Sequence, residues 1–376
     1  MIAIEPVKVP KWGLSMEEGE IVQWHVAEGD RVAEGDELVD IETTKITNVC
    51  EAHTGGLIRR LVAKPGQTLP VGALIAVMAE ADVSDADIEA YVAEFESHFD
   101  PDETADTGLV LSTVDIAGGR SLRVGTAGLS NDAMPMVMLH GFGGDLQNWS
   151  LVQEIIAQSH PTYAIELPGH GQSTKDVGEG TLTSLAEGVA QAVDALDLDR
   201  IILVGHSLGG AVALAAASID SNRVAGLGLV CPAAMPGGEI NQSYLDTFVE
   251  ARRARDLRAA VSLLFGNPDL ATREMLDELI KMKRLDGAKE ALVAIKDGLL
   301  SAADAEATAM SEALATLSCP TALIASKADQ IVGVPDESAF PPHTETLWVD
   351  NVGHMPHVEA PDAVAGALVA LLRRMN

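Results

Sequence analysis

The first eighty residues of the chain align with themselves at an offset of 37: Gly19 with Gly56, Ile21 with Ile58, Trp24 with Leu61, Gly29 with Gly66, Val32 with Leu69, Gly35 with Gly72, and Leu38 with Ile75. Two similar halves are implied. Each reads as short strands with apolar residues at near-alternate positions, broken by turns such as Gly29-Asp30 and Gly35-Asp36. A small two-sheet barrel satisfies that pattern. Lys45, in IETTKITNV, falls where the first half hands over to the second. A connection between quasi-symmetric halves is forced to the surface, so the amine is presented to a modifying enzyme and then to other active sites.

The segment resembles a lipoyl domain over roughly residues 1–79, with VPKWGLSMEEGEI as its entry and EGDRVAEGDELVDIE leading to the lysine. The resemblance implies an all-β carrier with lipoate attached to Lys45. Lipoyl domains usually carry Asp before that lysine, and here the residue is Thr44; biotin carriers usually flank it with methionines, and here the flanks are Thr44 and Ile46. Lipoate is therefore expected rather than biotin.

Between Ala79 and Gly108 the chain holds eleven Asp or Glu and no Lys or Arg, a composition shift that marks a boundary. Within it Ile88, Val92, Phe95 and Phe99 recur at helical spacing after Ser84, an N-cap residue, and Pro101 ends the pattern. Residues 80–108 thus read as an acidic linker with a short amphipathic helix. Its apolar stripe either packs on a neighbouring domain or docks a partner subunit.

From residue 109 to 376 the pattern changes to alternating strand and helix. MVMLH, YAIEL, IILVG, LGLVC, TALIAS and TLWVD read as buried strands. The alternation predicts an α/β unit with a mainly parallel sheet covered on both faces. Between about 235 and 318 the strands stop and helical segments rich in Ala, Leu, Arg and Glu take over, which is the pattern of a cap above an active site.

In VGHSLGG a buried strand turns sharply into a helix, and Gly205 and Gly209 flank Ser207 at two places either side. Such a turn holds the serine Oγ exposed above the sheet. The strand MVMLH ends in HGFGG, residues 140–144, whose backbone can turn the Phe142 N–H, together with that of Leu208, toward a developing oxyanion. Asp329 follows TALIAS, and His354 follows TLWVD in NVGHMPH, giving Ser, Asp, His in chain order. This resembles the α/β-hydrolase fold throughout residues 109–376. In the roles it implies, His354 takes the Ser207 proton, Asp329 fixes the imidazole tautomer, and Phe142 and Leu208 bind the oxyanion. His357 is a rival base, Asp336 and Asp350 are rival acids, and His140 and His206 belong to their loops. Pro356 separates His354 from His357 and no third ligand is apparent, so no metal is expected.

Composition narrows the partners. A net charge of -31 and a pI near 4.5 set the chain against nucleic acid and anionic membrane surfaces. The longest nearly uncharged run, 201–217, carries His206, Ser207 and three glycines, so no transmembrane span is expected. The N-terminus lacks an apolar export core, and Cys50, Cys231 and Cys319 form no CxxC pair. A cytoplasmic protein with reduced thiols is expected.

An α/β hydrolase behind a lipoyl domain resembles the acyltransferase components of acetoin-cleaving dehydrogenase complexes, essentially over the whole chain. The HxxxDG motif of ordinary lipoyl acyltransferases is absent, so their trimer-forming transferase domain is not expected. The resemblance implies that a thiamine-diphosphate-dependent acetoin dehydrogenase acetylates lipoyl-Lys45. The acetyl group then passes to coenzyme A, and a dihydrolipoamide dehydrogenase reoxidises the carrier. Arg252, Arg253, Arg255 and Arg258, or Lys281, Lys283 and Arg284, could furnish a basic mouth for coenzyme A, or simply be solvated faces of cap helices. A serine hydrolase using water (thioesterase, esterase or carbon-carbon bond hydrolase) and a non-catalytic carrier are the competing readings.

Overall fold

The computed structural model describes residues 4–10, 18–33, 35–42, 47–52, 54–99, 109–301 and 303–375. The chain divides into two compact units, Met1–Gly108 and Leu109–Asn376.

The first unit is built from two four-stranded sheets. One runs β1 (Ile4–Lys8), β8 (Leu74–Ala79), β6 (Gly56–Leu61), β3 (Arg31–Val32); the other runs β5 (Thr47–Glu51), β4 (Glu37–Glu42), β2 (Glu18–Trp24), β7 (Thr68–Pro70). The sequence repeat is visible here as a symmetry: β2 matches β6, β4 matches β8, and the short β3 and β7 each join the sheet of the opposite half. Each half therefore lends a strand to the other, and neither can close its core alone. Ile21, Leu38, Ile41, Ile58 and Ile75, fully buried, fill the space between the sheets. The paired turn glycines share a left-handed backbone, with φ of +97° and +82° at Gly29 and Gly66. Their N–H groups donate to Ile58 and Ile21 at 2.8 and 2.7 Å. Glu42 at the end of β4 pairs with Thr47 at the start of β5, and Lys45, which separates them in sequence, lies outside the described residues.

The acidic helix α1 (Asp85–His98) is capped by Ser84, whose side chain accepts from the Asp87 N–H. Ile88 is buried, and Tyr91, Val92 and Phe95 pack with Leu74, Val77 and Ala79 on the outer side of β8. That is why every residue of β8, LIAVMA, is buried. The apolar stripe is thus spent within its own unit, so a docking role would have to use the acidic face instead.

The second unit is an eight-stranded sheet in the order β16 (Thr344–Trp348), β15 (Thr321–Ala325), β14 (Val224–Val230), β13 (Ile201–His206), β11 (Met136–Leu139), β12 (Thr162–Ile165), β10 (Arg120–Ala127), β9 (Val110–Ile116). The six strands legible as apolar runs pair in parallel. The other two form an antiparallel hairpin, β9–β10, turning at Gly118 and Gly119, both at positive φ. The sequence analysis does not resolve this hairpin, because β9 is largely exposed and mixes polar with apolar residues, while Arg120, Ser121, Arg123 and Thr126 interrupt the apolar run of the mostly buried β10. Two helix layers cover the sheet: α2 (Ser150–Ala157) packs with α11 (Pro361–Arg373), and α3 (Leu182–Ala195) packs with α4 (Leu208–Ile219). Between β14 and β15 the chain inserts α5 (Gln242–Glu250), α6 (Ala254–Ser262), α7 (Arg273–Lys283), α8 (Ala288–Ser301) and α9 (Ala303–Thr316), while α10 (Pro356–Glu359) follows the last strand. Among the described residues no helix is long and apolar enough to cross a membrane.

Candidate active site

Ser207 stands between β13 and α4 with φ 54° and ψ −118°, a conformation an L-residue holds only under constraint. The constraint is close packing of backbone. A Cβ at Gly205 would collide with the Gly209 carbonyl, and one at Gly209 with the carbonyl of Leu139 at the end of β11. The Ser207 carbonyl accepts from Gly210 at 2.9 Å and from Ala233 at 2.9 Å, which binds the turn to the segment after β14. Leu208 is the first residue of α4, so its N–H is one of the orphan donors at the positive end of a helix dipole.

Asp329 and His354 arrive from the ends of β15 and β16. His354 Nδ1 donates to Asp329 Oδ2 at 2.7 Å, with both side chains almost fully enclosed. The other carboxylate oxygen accepts the Ile331 and Val332 N–H groups at 2.8 and 3.1 Å. Burial by itself would raise the Asp329 carboxyl, but the His354 charge and hydrogen bond and the two N–H groups outweigh it and hold it below the usual range. With Nδ1 committed, Nε2 is the nitrogen left for Ser207, and both residues line one cavity.

None of the rival residues His357, Asp336 and Asp350 lines the Ser207 cavity. His357 is fully buried against Trp149 and His206, with ring centroids 4.7 and 4.3 Å away, and does not line the cavity. Burial, then the neighbouring His354, pushes its pKa down to about 3. Asp336 is engaged in capping the short turn Glu337–Ala339, accepting from Ser338 at 3.0 Å, and Asp350 is exposed. His140 donates from Nδ1 to the Gly141 carbonyl at 2.8 Å and accepts the Leu167 N–H on Nε2 at 3.0 Å. Burial lowers its pKa to about 4. It stays neutral and anchors the loop that carries Phe142, which is 8% exposed and lines the cavity.

Three residues make contacts that the sequence analysis does not resolve, His206 in the structural role assigned to it there. His206 Nε2 donates to the His354 carbonyl at 2.8 Å, joining the serine turn directly to the histidine loop. Glu359 accepts the Gly353 N–H at 2.6 Å on one oxygen and the Gly266 N–H at 2.9 Å on the other, clamping the histidine loop to the base of the cap. Cys231, buried after β14, puts its sulfur within 4.8 Å of ligand atoms of both Asp329 and His354. That spacing could accommodate a metal, but here the Asp329–His354 hydrogen bond uses it.

The cavity above Ser207 holds about 70 Å³. Its polar end is the oxyanion loop, Ser207 and His354; Leu245, Phe248, Leu264, Leu279, Leu299 and Val332 make an apolar roof and sides. The basic residues that could furnish its mouth are mostly engaged within the cap. Arg253 and Arg255 face Asp256 at 2.9 and 3.6 Å, Arg258 donates to the Ala271 carbonyl at 2.9 Å, and Lys281 pairs with Glu278 at 3.3 Å. Lys283 donates to the Phe248 and Ala251 carbonyls.

A sheet that lifts a strained serine to the floor of a helix-capped cavity is the arrangement of the α/β hydrolases, and residues 136–367 match the Alpha/beta hydrolase family. Residues 5–78 match the family described as "Biotin-requiring enzyme", of biotin and lipoyl carriers. The fold is similar to that of a serine hydrolase from Cycloclasticus zankles, at TM-score 0.61 and 17% identity, covering 70% of this chain and 97% of that one. The dihydrolipoyllysine-residue acetyltransferase component of the acetoin cleaving system of Pseudomonas putida is 38% identical over 380 residues, 100% of both chains. Its counterpart from Cupriavidus necator is 38% identical over 356 residues, 95% of this chain and 94% of the relative. The chain belongs to this family of acetoin-system acetyltransferase components.

Proposed function

We propose that the protein transfers an acetyl group from the dihydrolipoyl-lysine of its own carrier unit to coenzyme A, with Ser207 as the intermediate acceptor. The observation that carries this reading is the buried His354–Asp329 pair at 2.7 Å, facing the same apolar cavity as Ser207. Lipoate on Lys45 supplies the acetyl group as a thioester; the antiparallel β4 and β5 that flank this lysine in sequence fit an attachment point between two strands.

Ser207 Oγ attacks the thioester carbon as its proton passes to His354 Nε2. The oxyanion points at the N–H groups of Phe142 and Leu208, and the departing sulfur takes the proton from His354. The thiol of coenzyme A then attacks the acetyl-serine, gives its proton to Nε2, and leaves as the thioester while Ser207 Oγ is reprotonated. Asp329 stays ionised throughout and stabilises the transient imidazolium. The apolar roof keeps water from the acetyl-serine, which the same triad would otherwise hydrolyse. In the complex, a thiamine-diphosphate-dependent acetoin dehydrogenase loads the carrier and a dihydrolipoamide dehydrogenase reoxidises it.

The test is a product balance. Acetyl-dihydrolipoamide and coenzyme A are given to the full chain, and acetyl-coenzyme A is measured against free acetate. Acetyl-coenzyme A as the main product, lost in Ser207→Ala, is the expected result. Acetate alone makes the protein a hydrolase; no product from the chain by itself, with turnover of the reconstituted complex unchanged in Ser207→Ala, leaves it a carrier.

A further inference from the structure

The triad does not fix the length of acyl group that Ser207 accepts; the wall beside the oxyanion loop does. That wall is Phe248, on α5, 1% exposed. Its ring meets the Phe142 ring edge-on at 5.7 Å between centroids. The next residue of the loop, Gly143, sits at φ +73°, and a Cβ there would run into the Phe248 ring. The ring tip thus fills the space a side chain at 143 would take.

The ring is also held in place. Lys283 Nζ donates to the carbonyls of Phe248 and Ala251, capping the end of α5, and lies over the ring 5.0 Å from its centroid. Tyr244, one turn earlier, flanks the ring at 6.0 Å. A wall clamped at backbone and ring does not swing aside for a longer chain.

Ser207, Phe142, Leu208 and Phe248 line one cavity, so an acyl group on Ser207 shares that space with the Phe248 ring. An apolar cavity of roughly 150 Å³ takes benzene. The cavity of about 70 Å³ in this protein therefore has room for about three carbons by that scale. We propose that Phe248 determines acyl specificity: its ring closes the Ser207 cavity to straight chains longer than about three carbons, restricting the enzyme to acetyl and propionyl donors. This rests on the reading of Ser207 as the acylated nucleophile.

The experiment uses the full chain with p-nitrophenyl acetate, propionate, butyrate and hexanoate, following the nitrophenolate burst so that neither lipoate nor coenzyme A is required. One methylene in an apolar pocket is worth about 10–200-fold in kcat/KM. The wild type should drop by about tenfold or more between propionate and butyrate. Phe248→Ala should raise the butyrate-to-acetate ratio by at least about tenfold, with Phe248→Leu between the two. The milder variant decides if the alanine protein fails to fold. An unchanged ratio with Ser207 still acylated overturns the proposal, as does an equal fall on all four esters. A wild type that releases no nitrophenolate from any ester, or releases it equally well in Ser207→Ala, refutes the nucleophile reading on which it stands.

Discussion

Replacing Asp329 with Asn tests the triad through its hydrogen bonds alone, because shape and volume are nearly kept. One carboxylate oxygen accepts two backbone N–H groups, from Ile331 and Val332, and the other accepts His354 Nδ1. An amide has a single acceptor oxygen. Turning it toward His354 would set the amide NH₂ against two N–H donors, so the oxygen must stay with the backbone and the NH₂ must face Nδ1. His354 is then forced to accept at Nδ1 and carry its proton on Nε2, where it cannot take the proton from Ser207. Such a tautomer reversal costs about 10⁴ in kcat, or ~5.5 kcal/mol of barrier. The assay is burst kinetics on p-nitrophenyl acetate alongside acetyl-coenzyme A formation, with circular dichroism to check that the fold survives. Asp329→Ala serves as contrast, since it also strands the two N–H groups and should lower the melting temperature. Activity of Asp329→Asn within about tenfold of the wild type would refute the assignment and return Asp336 or Asp350 to consideration.

Further outcomes follow from the same geometry. His357 is held near pKa 3, against 6.5 when free, so unfolding takes up a proton at any pH between the two values. Its contribution is therefore complete above pH 6.5 and is lost as the pH falls toward 3. His357→Phe should flatten the pH dependence of unfolding free energy between these values by ~1.4 kcal/mol per pH unit, read from denaturant titrations; an unchanged slope contradicts the buried neutral imidazole. Glu359→Gln leaves one of the Gly353 and Gly266 N–H groups without an acceptor and should cost about 1–3 kcal/mol of stability, with kcat falling more than KM rises because Gly353 precedes His354. Lys45→Arg should remove any lipoyl adduct from the intact mass of natively expressed protein while leaving ester hydrolysis by Ser207 in place. Loss of both activities together would mean that the carrier lysine is not the separable element described above.

What the sequence disclosed depended on how local each constraint is. The offset repeat was readable because its glycines impose the same left-handed turn twice within a few residues. The serine turn was readable because the two clashing positions, Gly205 and Gly209, lie within five residues of chain. Asp329 and His354 could be located by the strands that precede them, since strand ends face one side of a parallel sheet. The hairpin Val110–Ala127 stayed hidden because β9 is largely exposed and polar residues such as Arg123 and Thr126 interrupt the apolar run of β10. His206, Glu359 and Phe248 stayed hidden for a different reason: each acts across a separation of residues that no periodicity records. His206 reaches 148 positions along the chain to the His354 carbonyl, and Glu359 reaches 93 to Gly266. These links tie the serine turn, the histidine loop and the cap base to one another rather than to their own elements. A substitution at His206 or Glu359 should therefore disturb the alignment of Ser207 with His354 while leaving the sheet intact, so kcat ought to fall in a protein that is still folded at the assay temperature.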